Sequence, residues 1–342
     1  MTRLNASLLL AALSTGCGAD PAPVSEGGSS GDATGQTTGE SSSGETPQGE
    51  SSSGTTPSET GGTSTGEPTE DASSSSTGPG VQQHAIGLVQ YDADAHFGDW
   101  DYNTAQLTMW AEAAIDEGAT LLVFPEGSSY GYATDDDLWC PPGMDTYGGM
   151  TCHDVSTVAE PLPGGQTTDY WADFAAEHGV AVVYHVLEAD GPDFYNAVGV
   201  VGPDGYITKY RKRRLYWIDA VYASEGEDPT VLQTPFGTFG LMICIDGTYD
   251  GGQYDEYKAL GVDALLISMD WDDDPEGPAA AIDWFRERAD ANEIDIYVAD
   301  VSTWDGTGHY LPGDVPRERF GLPDIAIGVD GISVHPMESL LP

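Results

Sequence analysis

Cys244, Glu126 and Lys212 are residues of the types needed to open an amide bond, and each stands at or beside an apolar run. Cys244 closes the run Phe239-Gly240-Leu241-Met242-Ile243 and precedes the polar Asp246-Gly247-Thr248. A thiol at a strand end is held by the sheet yet open to a cleft, although a Cys after an apolar run also serves as inert core. Glu126 follows a second run, Leu121 to Pro125. Apolar neighbours there would raise a carboxyl pKa toward the range of a general base. Lys212 lies in Tyr210-Arg211-Lys212-Arg213-Arg214, and its ammonium could meet a developing oxyanion. Thiolate, base and cation together would split amide hydrolysis into acyl transfer to sulfur and deacylation by water. Taken singly, a strand-end Glu reads as solvated and a Lys in a basic run as a surface charge.

In order and separation, the elements FPE, YRK-x-x-L and IC-x-D resemble those of the carbon–nitrogen hydrolases, the nitrilase superfamily, over roughly residues 84 to 342. The resemblance implies Cys244 as nucleophile, Glu126 as base and then acid, and Lys212 with the backbone N–H of Ile245 as oxyanion donors. It also implies a four-layer α-β-β-α sandwich, which periodicity alone does not give, and a small amide as substrate. The expected chemistry uses no cofactor and no metal. Several positions depart from the family pattern. Where many members carry a second Glu after the Lys, this chain has Asp219, one methylene shorter. The RA-x-E-N element reads Arg288-Ala289-Asp290-Ala291-Asn292, with Ala for Glu. Nitrile-cleaving members usually have Trp-Glu after the Cys; Ile245-Asp246 favours the amidase branches. The stretch 195–250 looks most like the biotinidase and vanin branch, without its additional C-terminal domain. Trp271, where members place a pocket-lining aromatic, and Tyr130, near Glu126, are expected on the substrate side. A rim aromatic in an acidic loop is the alternative reading of Trp271. N-acyl transfer to an amine would use the same three residues, and a catalytically dead binding module is the reading that Asp219 and Ala291 would favour.

Two rival motifs fall away on local grounds. Gly127-Ser128-Ser129-Tyr130-Gly131 fits a nucleophile elbow centred on Ser129, but the following YATDDDLWCPPG cannot form the helix an elbow requires. Asp270 to Gly277 begins like a calcium loop, yet Pro275 and Ala281 occupy the positions of the obligatory Gly and the bidentate Glu. No His pair has zinc spacing.

The elements that must position these residues alternate along the chain. A strand at Ala85–Tyr91 leads to a helix at Asn103–Glu117 and a strand at Thr120–Phe124. After a loop holding Cys140 and Cys152, Thr168 is expected to cap a helix ending at His178-Gly179. A strand at Val180–Val186 precedes a hairpin of Tyr195–Val201 and Tyr206–Leu215. Beyond the Cys244 strand come a short helix at Tyr254–Leu260, a strand at Val262–Met269, a helix at Ala279–Asn292 and a strand at Ile294–Val301. Such alternation specifies an α/β layered fold.

Composition limits the partners. A formal net charge of −46, with only 11 Lys and Arg in 342 residues, argues against nucleic acid. Residues 18–82 are dominated by Ser, Thr, Gly, Pro and Glu, with GESSSGETPQ nearly repeated as GESSSGTTPS, and read as a disordered linker. Residues 83–342 then form one hydrolase domain. Residues 1–17 read as a secretory signal, with Arg3, an apolar Ala6–Leu13 and a lipoprotein-like Ser14-Thr15-Gly16-Cys17 in which Ser14 replaces the usual Leu. Lipidation of Cys17 is expected, a plain cleaved signal being the alternative, and Gly18 points to the outer membrane. The protein is thus expected in the cell envelope or secreted, touching membrane only through a lipid anchor. A homo-oligomer is compatible with the sequence. With Cys17 and Cys244 so assigned, Cys140 and Cys152 are expected to form a disulfide, against a zinc site with His153 or free thiols.

Overall fold

The computed structural model describes residues 84–248, 252–271, 279–302, 306–313 and 329–337. The expected signal, linker and lipidated Cys17, and all but the first two residues of the 270–277 loop, lie outside the described residues.

In chain order the elements are β1 (His84–Gln90), α1 (Trp100–Asp116), β2 (Leu121–Val123), β3 (Asp137–Cys140), β4 (Thr146–Tyr147) and β5 (Met150–Asp154). They continue with α2 (Gln166–His178), β6 (Ala181–Asp190), β7 (Asp193–Gly202), β8 (Gly205–Arg211), α3 (Asp219–Tyr222), β9 (Thr230–Thr234) and β10 (Gly237–Ile243). Next come α4 (Ile245–Thr248), α5 (Gln253–Ala259), β11 (Ala264–Ser268), α6 (Ala279–Asn292), β12 (Asp295–Ala299), β13 (Gly308–Tyr310) and β14 (Gly331–Met337). Two mixed sheets result, one ordered β14-β1-β2-β6-β7-β8 and the other β13-β12-β11-β10-β9.

Strand alternation explains why the sheets stack. In β2, Leu121 and Val123 face the core shared with the second sheet, while Leu122 and the following Phe124 face α1 and α2. Both faces of the strand are buried, so the sequence reads as a continuous apolar run and not as an alternation. Ile86, Leu88, Val183 and Val198 of the first sheet meet Phe239, Leu241 and Ile267 of the second in one core. On the outer face of the first sheet, Leu107 and Ala111 of α1 and Trp171 and Phe174 of α2 pack on Val182, Tyr184 and Val186. Tyr254 and Tyr257 of α5 and Phe285 of α6 join the core of the second sheet. The architecture is the nitrilase-like α-β-β-α sandwich expected from the family motifs.

Several local expectations are corrected. Helix α1 begins at Trp100, three residues early, because the Asp99 carboxylate accepts the Tyr102 N–H at 3.1 Å and caps it. Thr168 does not cap α2. Gly165 is the N-cap, and the Glu160 carboxylate accepts the Thr167 N–H at 2.9 Å, leaving Thr168 buried as the acceptor of the Tyr184 hydroxyl. The loop expected around the cysteines is a three-stranded sheet, β3-β5-β4, closed by a Cys140–Cys152 disulfide with S–S 2.02 Å. His153 pairs with Asp137 at 2.6 Å. Strand β8 stops at Arg211, so Lys212 lies one residue past it. Strands β9, β13 and β14, two of them short edge strands, were not legible as separate runs.

Candidate active site

Glu126 is delivered by β2. Phe124 continues the parallel pairing by donating to Val183 O at 3.0 Å, and the Glu126 N–H then crosses to Met269 O of the second sheet at 3.3 Å. Cys244 comes from that second sheet, its N–H donating to Ser268 O at 2.9 Å. Glu126 and Cys244 are therefore pinned to consecutive carbonyls at the end of β11. Cys244 has φ +49°, a left-handed conformation that costs a non-Gly residue about 1–3 kcal/mol. That turn lets the chain pass from β10 directly into α4, with the Cys244 Sγ 4.0 Å from Asp270 O.

Lys212 follows from the register of β7 and β8. Its N–H donates to Asn196 O at 2.8 Å, extending the ladder that pairs Ala197 with Arg211. Because side chains two apart share a face, Lys212 points inward with Tyr210. Its Nζ donates to Glu126 Oε1 at 2.7 Å and lies 2.6 Å from Asp219 Oδ2. Asn196 Nδ2 donates to Glu126 Oε1 at 2.6 Å and to Asp219 Oδ1 at 2.9 Å. Asn196 Oδ1 in turn lies 3.0 Å from His185 Nε2. Since the Asn196 nitrogen faces two carboxylates, its oxygen is the acceptor and His185 carries its proton on Nε2. All of these side chains are fully buried.

The electrostatics follow from that burial. Desolvation drives the Glu126 carboxyl up, Lys212 pulls it back and Asp219 adds repulsion, leaving it at about 7. Burial works against the Lys212 ammonium, but Asp219 and then Glu126 outweigh it and hold its proton above the usual lysine range. His185 is pushed down to about 4 by burial and stays neutral. A carboxyl near neutrality beside a fixed cation can exchange a proton in both directions.

Sequence reasoning missed three of these groups. Asn196 stands alone in the apolar run of β7 and His185 in that of β6; an isolated amide or imidazole inside an otherwise apolar strand was the available signal. Asp246, quoted only as part of IC-x-D, accepts from Tyr210 Oη at 2.7 Å, Arg214 N at 2.9 Å, Gln253 Nε2 at 3.0 Å and Arg213 N at 3.2 Å.

Trp271 and Tyr130, the expected substrate-side aromatics, stand in two different surroundings. Trp271 adjoins Asp270 but packs in the core against Trp284 and Phe285, at 6.3 and 6.0 Å between ring centroids. Tyr130 lines a separate groove with Phe97, Trp100 and Gln166, the last donating to its hydroxyl at 2.9 Å. Ser129 donates to His185 O at 2.7 Å within the turn closed by Gly131 N on Gly127 O, and no helix follows it. Gly127, at φ +70°, permits that turn, since a Cβ there would stand 2.8 Å from Tyr132 Cβ. Ile245 opens α4 and Asp219 opens α3. Among the described residues, no group of three or more His, Cys, Asp and Glu side chains is placed to hold a metal ion, and no helix is long and apolar enough to cross a membrane.

Comparison with known proteins gives the same direction. Residues 85–313 match the carbon–nitrogen hydrolase family. The chain is 29% identical over 230 residues to an (R)-stereoselective amidase of a Pseudomonas species, covering 66% of this chain and 74% of that protein. It is 32% identical over 162 residues to a nitrilase of Pyrococcus abyssi, covering 47% of this chain. The chain spans about half the length of the first curated relatives it matches, 55% of that nitrilase and 43% of an aliphatic nitrilase of Sinorhizobium fredii. Among solved structures, an amidase from Nesterenkonia sp. superposes with a TM-score of 0.59 at 19% identity, covering 74% of this chain and 89% of that one. At that identity the likeness speaks for the fold.

Proposed function

The chain belongs to the carbon–nitrogen hydrolase family, and on that premise we propose that it hydrolyses the C–N bond of a small amide through Cys244, Glu126 and Lys212. The observation that carries the reading is the Glu126–Lys212 contact at 2.7 Å, held by β2 and β8 against the strained end of the Cys244 strand. Glu126 takes the Cys244 proton as sulfur attacks the amide carbon. Lys212 Nζ and the Ile245 N–H, a first-turn donor that helical pairing leaves over, stabilise the oxyanion. The amine departs with the proton from Glu126, leaving a thioester on Cys244. Glu126 then deprotonates a water, which attacks the thioester, and the carboxylic acid leaves as the proton returns to sulfur. A carboxyl at about 7 suits both directions of transfer at neutral pH. The chemistry requires Cys244 as a free thiol, so reductant accompanies every assay. Ile245-Asp246 after the nucleophile supports amides over nitriles, and the resemblance of 195–250 supports the biotinidase and vanin branch. The test is ammonia or amine release from a panel of amides and ureides by wild type and Cys244→Ala. Release by wild type alone supports the reading; equal release by both refutes it.

The protein is further proposed to work outside the cytoplasm on a lipid anchor. The Cys140–Cys152 disulfide and the lipoprotein-like residues before Cys17 support this. Palmitate incorporation that persists in Cys17→Ala would refute it.

A further inference from the structure

Tyr132 and Tyr222 differ from the other buried tyrosines of this protein. Among the described residues, every other one has a hydrogen-bond partner, as Tyr210 has Asp246, Tyr184 has Thr168 and Tyr91 has Asn103. The hydroxyls of Tyr132 and Tyr222 are buried and have none. Both flank the reacting groups. The Tyr132 ring centroid lies 5.4 Å from Lys212 Nζ, and Tyr222 stands three residues after Asp219, one turn along α3. A buried phenol without a partner is disfavoured, and a fold that satisfies its other buried tyrosines leaves these two without one. The adjacent carboxylates do not serve them, since Glu126 and Asp219 are occupied by Lys212, Asn196 and the Tyr216 N–H.

We propose that Tyr132 and Tyr222 are substrate-recognition residues, donating to a second, uncharged acceptor on the substrate beyond the scissile amide. The inference rests on the amidase reading and narrows it to small amides with a further carboxamide, ureide or hydroxyl group. Burial and then the charges of Asp219 and Glu126 hold both phenols protonated, so each is a donor throughout the neutral range. A carboxylate acceptor is excluded by charge, because two buried carboxylates already face one ammonium. A site built to donate to a substrate discriminates strongly against the analogue that cannot accept.

Three substrates of similar shape test this: succinamide, its aliphatic isostere 4-methylpentanamide, and succinamate. With the full chain under reducing conditions, wild type is expected to prefer succinamide over 4-methylpentanamide by about 10- to 100-fold in kcat/KM. In Tyr132→Phe and Tyr222→Phe the ratio should fall toward one, through KM for succinamide. Because both substrates are measured on the same variant, the ratio does not depend on how much of it is folded. No preference in wild type, an undiminished preference in both Phe variants, or a preference for succinamate would overturn the proposal. If no amide is turned over, calorimetric binding of the same compounds to Cys244→Ala decides separately from the amidase reading. Tighter binding of succinamide that is lost in the Phe variants then upholds the recognition site, and no binding of any of the three overturns it.

Discussion

Asp246 accepts the backbone N–H of Arg214 at 2.9 Å, so the residue two past Cys244 holds the residue two past Lys212. The same carboxylate takes the Arg213 N–H at 3.2 Å and the Tyr210 hydroxyl at 2.7 Å. Cys244 and Lys212 follow strands of different sheets, and Asp246 is a direct tie between the segments that carry them. Replacing it with Ala leaves several buried donors without an acceptor. Asp246→Ala is expected to lose about 2–4 kcal/mol of stability and at least about 100-fold in kcat/KM at temperatures where it stays folded. Asp246→Asn keeps one acceptor oxygen and should lose less of both. Urea denaturation with steady-state kinetics checks this, and an active, stable Asp246→Ala would remove the tie from the account.

In the proposed mechanism Glu126, as the base, sets the pH dependence. Its folded pKa is raised to about 7 from an ordinary 4.5, so the base form appears only as pH rises through about 7. The acidic limb of kcat/KM should therefore have an apparent pKa near 7, and Glu126→Gln should abolish turnover. Stability carries the same group with a definite sign. A raised carboxyl contributes stability that is present below pH 4.5 and is lost as pH rises toward 7. The fall in unfolding free energy over that window should be smaller in Glu126→Gln.

How much of this arrangement could be read beforehand depends on whether it was local. The strands leading to Glu126 and Cys244 were legible because both are apolar runs closed by polar loops. Lys212 was legible only through its motif, since nothing in Tyr210-Arg211-Lys212-Arg213-Arg214 says which cation turns inward. The register that puts Lys212 N–H on Asn196 O decides it, and that is a tertiary fact. Asp219 illustrates the same limit: one methylene shorter than the Glu common in the family, it still lies 2.6 Å from Lys212 because α3 starts at that residue. The cap of α2 was misassigned for a parallel reason, Glu160 being a partner that no rule for a nearby Ser or Thr would find.

Asn196 contacts Glu126, the proposed base. Its amide donates to Glu126 and Asp219 together, and hydrogen bonds to the charged form lower a carboxyl pKa. Asn196→Ala should move the acidic limb upward. His185→Ala, which frees the Asn196 amide to turn over, should move it in the same direction by less. A profile unchanged in Asn196→Ala would reduce this residue to packing.

The Cys140–Cys152 bridge closes a 12-residue separation beside Ile218, which precedes Asp219. Cys140→Ser with Cys152→Ser is expected to cost about 2–4 kcal/mol and lower Tm by about 5–10 °C. Calorimetric scans of the two proteins measure it directly.

The proposed mechanism requires a covalent bond between substrate and Cys244. The reduced protein, mixed with an amide it turns over and quenched in acid within the first turnovers, can be read by intact and peptide mass spectrometry. The predicted result is a mass gain of one acyl group in place of one hydrogen, on the peptide containing Cys244, removed by hydroxylamine and absent in Cys244→Ala. An acyl group on another residue, Ser129 included, or turnover that persists in Cys244→Ala would contradict it.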